Sequence, residues 1–398
     1  MKLIFFFLAY TIALYSSEIS LYEILEKIKY EHPMAKSIQA YKNSYSAQNR
    51  VKSSRKAMQI LVEGANAKPN MNDYKYEYSV GLKQTFMNPI VKNSVLKSAI
   101  YQSDANILKL KYDFLLLEND VRLLYHLNCL DKKSIKQYKS SYISFKNLYN
   151  KKEKAYMYGE ISKKELLQLK IELDRLKNEF NHYKNEEKIS RDNLQAKILL
   201  PIFEGEELFC KDVYSVTDKV TLTNSDETLN EKIIDKKIKS VESDFNRYNI
   251  LFDTFSASIS YQNEIDTDRF IIGLSVPLNF TSSFNEEKRA ESLHKRSAYL
   301  YEKEALKLKK ASQIELLQKS LAQNFQDIEL LTSMLNRYEN ELMPLIERGY
   351  RLGEDSSIEY LLSQRDVWMF KKDLIEHYKN YYKVLFKLYS ILEIKERL

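Results

Sequence analysis

The chain repeats itself at a nearly constant offset, and this duplication constrains its fold more than any other feature. Segment 155–167 (AYMYGEISKKELL) aligns with segment 349–361 (GYRLGEDSSIEYL) at an offset of 194 residues. Segment 80–86 (VGLKQTF) aligns with segment 272–278 (IGLSVPL) at an offset of 192 residues. Because two unrelated segments share nearly one offset, the chain is predicted to contain a unit of about 190 residues twice.

Each unit is predicted to contain the same elements in the same order: a helix, two strands and two long helices. Hydrophobic residues recur at helical spacing in the long segments, as at Leu108, Tyr112 and Leu115. A helix of some sixty residues is roughly 90 Å long, which suits a bridge across a compartment better than a globular domain. The helices are expected at 21–56, 90–154, 163–197, 229–249, 285–348 and 357–397, and the strands at 60–67, 76–86, 254–262 and 270–280.

The N-terminus is expected to be a secretory signal peptide. Lys2 precedes an apolar run from Leu3 to Leu14, which is too short for a membrane-spanning helix. No apolar stretch long enough to span a bilayer as a helix follows it, so any membrane contact is expected through a barrel or a surface. The expected division is a signal peptide at 1–16, a first repeat at 17–205, a connecting segment at 206–228 and a second repeat at 229–398.

The strands alternate apolar residues with small or polar ones. In one of them Phe255, Ala257, Ile259 and Tyr261 alternate with serines and a glutamine. An ordinary half-buried sheet would show the same alternation, but the long helices are already patterned to pack on one another and leave no layer to cover it. Four strands cannot close a barrel, and open edges are not tolerated in lipid. The chain is therefore predicted to oligomerise, and three copies of four strands would suffice.

The composition favours long elements and a solvated surface. Only 7 Gly and 6 Pro supply turns, and the 29% of charged residues are mixed in sign. The net charge of +7 is spread along the chain, so no nucleic-acid partner is indicated. The 30 Tyr either reflect the composition of the source or form aromatic girdles at a membrane interface.

No enzyme is indicated. The 5 His are scattered without metal-ligand spacing, and the chain has no Gly-rich phosphate loop and no nucleophile motif. We therefore expect no catalytic residue, no cofactor and no metal. Cys129 and Cys210 lie in a helical and a connecting segment with nothing to force them together, so free thiols are expected, with a disulfide as the alternative.

The order of helix, β-hairpin and long helical hairpin, given twice, resembles the TolC-like outer membrane efflux protein family. The resemblance covers nearly the whole chain after the signal peptide. It implies a homotrimer with a twelve-stranded outer-membrane β-barrel that continues into a periplasmic α-helical tunnel, or α-barrel, closed at its tip. The residues that carry it are Glu31-His32-Pro33, Val80-Gly81-Leu82, segment 272–278 and the two Tyr-x-x-Gly motifs, Tyr156–Gly159 and Tyr350–Gly353.

The resemblance also implies roles around the two Tyr-x-x-Gly motifs, which would form the helical hairpin turns at the tip. Ser162 and Ser356 would cap the helices that follow, each with a Glu three residues on, at Glu165 and Glu359. Glu359 also falls where family members carry the first acidic residue of a ring that constricts the tunnel entrance. The second acidic position of that ring falls on Leu362 here, and the candidate gate comprises Glu359, Asp355, Asp366 and Arg365.

The function implied is a passive exit channel of a tripartite efflux or type I secretion system, in the cell outer membrane and extending into the periplasm. Its implied partners are a periplasmic adaptor (membrane fusion) protein, an inner-membrane transporter of RND or ABC type, and outer-membrane lipid. The alternative is a periplasmic coiled-coil scaffold or adaptor. Such a protein also needs long helices and a signal peptide, but it has no use for two alternating hairpins.

Overall fold

The computed structural model describes residues 18–68, 75–200, 207–210, 216–220, 227–279 and 283–394. The expected signal peptide, parts of the connecting segment and the residues after Ile394 lie outside these ranges. In chain order the elements are β1 (Glu18–Ile19), α1 (Leu21–Glu31), α2 (Pro33–Ser53), β2 (Gln59–Ala67), β3 (Lys75–Met87), α3 (Pro89–Met157), α4 (Lys163–Ile198), β4 (Glu207–Leu208), α5 (Leu229–Arg247), β5 (Thr254–Asn263), β6 (Asp268–Ser275), α6 (Phe284–Arg337), a π-helical turn (Tyr338–Leu342), α7 (Met343–Leu352) and α8 (Ser357–Leu392).

The chain forms two compact units, and each repeat contributes to both. The core unit comprises Met1–Lys36, Phe114–Asn224 and Ser312–Leu398. The sheet unit comprises Ser37–Asp113 and Ser225–Ala311. None of the helices in the described ranges is both long and apolar enough to cross a membrane.

The first predicted helix, 21–56, is two helices in the structure. His32 separates α1 from α2 with extended backbone angles (φ −60°, ψ 136°). The residue before a proline is disfavoured in the helical region, and Pro33 follows. Pro33 also opens α2, a position where its missing N–H removes no helical hydrogen bond. The expected continuous helix is therefore wrong at this point, for a reason visible in the sequence.

The second repeat departs from the expectation in two places, and each lies beside a proline. Pro344 has no N–H for a helical bond to Asn340, and the helix passes through a π-helical turn just before it, with the Met343 N–H donating to the Tyr338 carbonyl. Strand β6 ends at Ser275, whereas a strand over 270–280 was expected. Pro277 lacks the N–H that a ladder needs, so it ends the pairing.

The sheet unit contains one antiparallel sheet in the order β2-β3-β5-β6. Its central pairing joins the two repeats, with Leu82 of β3 opposite Ile259 of β5. Among the described strands, β2 and β6 have a neighbour on one side only, so the sheet has two open edges. Residues 69–74, the tip of the first hairpin, lie outside the described ranges.

The core unit is built around buried apolar residues of its helices, among them Val121, Leu130, Leu194 and Leu388. The short strand β4 pairs in parallel with β1 and fastens the connecting segment to this core. The Tyr381 hydroxyl accepts a hydrogen bond from the Thr217 N–H (2.8 Å) and anchors the segment at a second point.

Cys129 and Cys210 form a disulfide with Cα atoms 5.6 Å apart, so the expectation of free thiols is wrong. Cys210 follows β4, and the carbonyl of the preceding Phe209 accepts a hydrogen bond from the Tyr125 hydroxyl. Tyr125 and Cys129 are one helical turn apart on α3. The connecting segment therefore brings Cys210 to Cys129, an arrangement set by a strand pair of two residues that no sequence pattern reveals.

Candidate functional site: the exposed sheet and the helical turns

One face of the sheet is apolar across all four strands. The registers align Ile60, Leu82, Ile259 and Ile272 in one row across the sheet. A second row on the same face, two residues away along each strand, contains Val62, Val80, Tyr261 and Phe270. These side chains are not covered: Ile272 is 84% exposed and Phe270 is 79% exposed. A contiguous apolar patch of this kind marks an interaction surface rather than a finished protein surface.

Aromatic rings lie near both ends of this apolar face. The Tyr261 ring contacts those of Tyr78 and Phe270, with centroids 6.3 Å and 5.3 Å apart. Phe86 stacks on Phe255 at 5.2 Å. Tyr78 and Phe86 both belong to β3, and eight residues of strand separate them by about 27 Å. At the strand tilt of about 35–45° found in outer-membrane barrels, this length spans about 20 Å, somewhat less than the apolar band of roughly 25 Å on such barrels.

The opposite face of the sheet carries small and polar residues. Gly81 sits where a side chain has no room: a Cβ there would lie 2.6 Å from Ser260 Cβ and 2.8 Å from the Ile259 carbonyl oxygen. Glycine at this position thus permits close approach of β3 and β5. Small and polar residues predominate on this face, and the registers also place two apolar residues there, Leu61 and Ile271, in the row of Gly81 and Ser260. Its small and polar residues include Glu63, Ser79, Gly81, Lys83, Ser258, Ser260, Gln262, Arg269 and Gly273.

The first helical turn, in the core unit, joins α3 to α4. The Glu160 N–H donates to the Ala155 carbonyl (2.9 Å) and the Gly159 N–H to the Tyr156 carbonyl (3.0 Å). These two bonds are the Schellman pattern that satisfies the last carbonyls of a helix. The pattern needs a left-handed residue, and Gly159 supplies it with φ +77°.

The second helical turn, also in the core unit, joins α7 to α8 with the same geometry. The Glu354 N–H donates to the Gly349 carbonyl (2.9 Å), and the Gly353 N–H donates to the Tyr350 carbonyl (3.3 Å). Gly353 has φ +79°. Tyr350 stacks on Tyr360 with ring centroids 4.9 Å apart. Each Tyr-x-x-Gly motif therefore lies at a helical hairpin turn.

Serine caps follow both turns, but only the second forms a reciprocal capping box. Ser162 Oγ accepts the Glu165 N–H at 3.1 Å, and Ser356 Oγ accepts the Glu359 N–H at the same distance. In the second turn Glu359 Oε2 also accepts the Ser356 N–H at 2.9 Å, which lowers the pKa of Glu359. Within the described residues, the Ser162 N–H makes no such bond to Glu165.

The other candidate gate residues form separate local pairs. The Asp355 carboxylate lies against Gly349, where an added Cβ would overlap Asp355 Oδ2. Arg365 Nη2 lies 3.7 Å from Asp366 Oδ1, its neighbour in sequence. No salt bridge joins Glu359 to Arg365 in the part of the chain that the structure describes. The sequence predicted these residues as gate candidates. Within one copy, Asp355 and Arg365 contact residues that are close to them in sequence and do not form one cluster with Glu359.

The part of the chain that the structure describes contains no group of three or more His, Cys, Asp or Glu that could hold a metal ion.

Two features of the core unit near the second turn were not predicted from the sequence. Pro344 is a readable signal for the π-helical turn. The contact between Gly349 and Asp355 had no signal beyond a glycine directly after the helix predicted at 285–348.

No protein-family model matches the chain, and no curated protein sequence matches it. Solved structures do. The outer membrane protein VceC of Vibrio cholerae is 12% identical with a TM-score of 0.72, over 94% of this chain and 95% of VceC. The MtrE outer membrane channel of Neisseria gonorrhoeae, solved in its open state, is 12% identical with a TM-score of 0.72, over 94% of this chain and 88% of MtrE.

The CmeC outer membrane channel of Campylobacter jejuni is also 12% identical, with a TM-score of 0.68 over 94% of this chain and 85% of CmeC. Identities this low are evidence about the fold alone. The similarity nevertheless extends over nearly the whole chain, and it includes both the sheet unit and the core unit. The chain therefore has the fold of the TolC-like outer membrane efflux channels, as its two repeats implied.

Proposed function

We propose that this chain is one subunit of an outer-membrane channel. The observation that carries the proposal is the exposed apolar face of the sheet, bounded by aromatic rings near both ends and by two open strand edges. Outer-membrane barrels present such a face to lipid. An open edge in lipid leaves backbone N–H and C=O groups without partners, each at a cost of several kcal/mol, so β2 and β6 need strands from other copies.

Three copies of the four-stranded sheet give twelve strands, and the fold similarity to outer-membrane channels supports this number. In the closed barrel the small and polar face would line the pore. Serines and glycines along β3, β5 and β6 leave room there, whereas the apolar face would contact outer-membrane lipid. The assembly would lie in the outer membrane and extend into the periplasm.

The mode of transport that we propose is passive conduction, without catalysis. An inner-membrane transporter of RND or ABC type would load the cargo through a periplasmic adaptor, in a tripartite efflux or type I secretion system. The transporter supplies the energy, and the channel supplies the exit. The alternative of a periplasmic scaffold or adaptor leaves the apolar face of the sheet without a use.

We further propose Glu359 as the centre of the entrance gate, with Asp355, Asp366 and Arg365 around it. Glu359 of three copies around a narrow axis would concentrate negative charge and favour cations. The test is conductance in planar bilayers. The Glu359→Ala channel should lose cation preference relative to the Glu165→Ala channel, which changes the equivalent residue of the first turn. Unchanged selectivity would remove Glu359 from the gate.

Membrane retention tests the channel proposal itself. Ile259 and Ser258 are adjacent residues of β5 on opposite faces of the sheet. A lysine that faces lipid at the bilayer midplane costs about 2–4 kcal/mol. The Ile259→Lys chain should therefore fail to remain in membranes washed with alkali, whereas the unchanged and Ser258→Lys chains should remain. If alkali releases the unchanged chain, the protein is a peripheral scaffold and not a channel.

A further inference from the structure

A basic pocket lies at the end of the sheet where α2 leads into β2 and β3 leads into α3. It has a volume of about 330 Å³, and the residues that line it all belong to the sheet unit. Three of them are basic, Arg55, Lys56 and Lys92, and none of the described residues that line it is acidic. All three basic side chains are exposed. The pocket therefore concentrates positive charge at one place on the surface.

The chain around this pocket supplies little negative charge. Segments 32–62 and 78–103, which provide its lining from the first repeat, contain no Asp and no Glu. In the second repeat Asp253 precedes Thr254, which lines the pocket, but Asp253 itself does not line it. The Asp253 carboxylate instead accepts a hydrogen bond from Asn279 Nδ2 (3.0 Å). The three cations thus have no countercharge among the residues that form the pocket.

Lys92 occupies a helix position where a cation is unfavourable. α3 begins at Pro89, so Lys92 lies in the first turn, where the helix dipole favours negative charge. That turn contains no acidic residue. α6, the counterpart of α3 in the second repeat, has Glu286 and Glu287 in its first turn. An anion bound in the pocket would compensate both the helix dipole and the lysine.

Two aromatic rings line the same pocket and indicate where it lies relative to the membrane. Phe86 and Phe255 stack on one another at this end of the apolar face. Gln84, on the same face of β3, donates from Nε2 to the Lys56 carbonyl (2.9 Å) and holds the basic link beside that face. Aromatic rings on membrane proteins lie at the level of the lipid headgroups. Because the helices continue into the periplasm in the proposed channel, this end of the sheet meets the periplasmic leaflet.

We infer that the pocket binds the headgroup of an acidic phospholipid from the periplasmic leaflet. The inference rests on the proposed channel, which brings the pocket to the level of the headgroups. The phosphodiester would lie between Arg55, Lys56 and Lys92, and the acyl chains would leave along Phe86 and Phe255. An acidic headgroup fits better than a zwitterionic one, because the ammonium group of a zwitterionic lipid would meet three cations.

Recognition of the headgroup is ionic rather than through hydroxyl groups. Ser53 and Ser54 line the pocket, but their hydroxyls donate to the carbonyls of Arg50 and Val51 (3.1 Å and 2.8 Å). The Arg55 guanidinium can donate two parallel hydrogen bonds to phosphate oxygens, whereas a lysine acts as a point charge. We therefore expect lipid binding to weaken as the salt concentration rises, because salt screens exposed charges.

Lipid binding by the full-length assembly in neutral detergent tests the inference. The probes are phosphatidylglycerol and phosphatidylcholine mixed into the micelles, with bound lipid counted by native mass spectrometry. The unchanged assembly should bind phosphatidylglycerol more tightly than phosphatidylcholine. The Arg55→Gln/Lys56→Gln/Lys92→Gln chain should bind phosphatidylglycerol on the order of a hundredfold more weakly, at about fivefold for each cation removed. Equal binding by these two chains would overturn the pocket.

The matched control removes the same charge elsewhere in the sheet unit. Lys42, Lys111 and Lys309 lie on its helices and do not line the pocket. Lys111, for example, lies about 28 Å along α3 from Lys92. The Lys42→Gln/Lys111→Gln/Lys309→Gln chain should bind phosphatidylglycerol as the unchanged chain does. If it loses as much affinity as the pocket variant, net charge attracts the lipid and the inference is wrong.

Lys92→Glu separates lipid binding from the stability of α3. An acidic residue in the first turn favours the helix, so without acidic lipid this chain should be at least as stable to heat as the unchanged chain. With phosphatidylglycerol in the micelles it should gain less thermal stability than the unchanged chain. An equal gain would show that Lys92 takes no part in binding the lipid.

Two further measurements identify the occupant and separate this inference from the channel proposal. If sn-glycerol 3-phosphate stabilises the unchanged assembly as well as phosphatidylglycerol does, the pocket is a site for soluble phosphates and the lipid is wrong. An unchanged chain that stays in alkali-washed membranes but shows no preference for phosphatidylglycerol overturns the inference alone. Release of the unchanged chain by alkali overturns both.

Discussion

The two helical turns of the core unit come from the same position of a duplicated unit, and they differ in how they are held. Both have the Schellman bonds, a left-handed glycine and a serine cap. The first has Ala155 and Ile161 where the second has Gly349 and Asp355. Both repeats have the backbone hydrogen bonds that form the turn, whereas the residues beside those bonds differ between the repeats.

The helices leading into the turns differ as well. α3 is one continuous helix of 69 residues. Its counterpart is interrupted by the π-helical turn before Pro344, where the first repeat has Asn150. The first repeat is also fastened by Cys129, and the equivalent residue of the second repeat is Gln323. The second turn thus depends on polar contacts near the turn itself. We therefore expect substitutions to destabilise the first repeat at its disulfide and the second repeat close to its turn.

The largest expected effect is the loss of the disulfide, which only the first repeat has. Cys129 and Cys210 close a loop with a sequence separation of 81 residues. Removing such a cross-link costs about 3–5 kcal/mol, mainly because the unfolded chain gains freedom. The Cys129→Ala/Cys210→Ala chain should therefore unfold at lower denaturant concentration, and reductant should shift the unchanged chain by the same amount. A reductant effect that persists in the double variant would contradict this.

The second prediction concerns what the two turns share. Gly159 and Gly353 have the same left-handed conformation, and no atom lies within 4 Å of a Cβ added at either one. The conformational penalty alone then applies, so Gly159→Ala and Gly353→Ala should each lower the free energy of unfolding by about 1–2 kcal/mol. Urea unfolding of the two variants measures this. A difference between them larger than about 1 kcal/mol would show that their surroundings do matter.

The third prediction concerns what the turns do not share. Alanine is favoured over glycine in a helix by about 0.8–1 kcal/mol, but at Gly349 its methyl group would displace the Asp355 carboxylate. In an Asp355→Ile background, which copies the first turn, Gly349→Ala should stabilise the chain by about 0.5–1 kcal/mol. In the unchanged background the gain should vanish or reverse. A double-mutant cycle measures the coupling, and equal effects in both backgrounds would contradict it.

These contrasts also show what a sequence of this kind reveals. The family resemblance placed both turns at the repeated Gly and Ser, and these residues fit because a Schellman turn and an N-cap each require a particular residue type at a fixed position. The strand alternation predicted the two faces of the sheet because side chains alternate along a strand. Both are local rules, and both repeats obey them.

The features that the sequence did not reveal depend on contacts between distant segments or on a single residue. The disulfide follows from the pairing of β1 with β4, two residues each, which leaves no periodic pattern. The contact of Asp355 with Gly349 depends on side-chain placement around a turn. Pro344 did signal the π-helical turn, but the hydrophobic period continues through it and favoured an unbroken helix.

The smallest expected effect is the pH response of the second cap. Hydrogen bonding to the Ser356 N–H lowers the pKa of Glu359 below its ordinary value near 4.5. A carboxylate with a lowered folded pKa stabilises the fold above its unfolded pKa, and the contribution is lost as the pH falls through the folded pKa. Glu359→Gln should therefore reduce the midpoint of thermal unfolding at pH 7, and the difference from the unchanged chain should shrink as the pH falls below 4.5 and through the lowered pKa of Glu359. Glu165→Gln is the matched control, since the first turn lacks the bond from Ser162. If the two variants respond to pH alike, the second cap gives its turn no distinct stability, and the contrast between the turns rests on Gly349 and Asp355 alone.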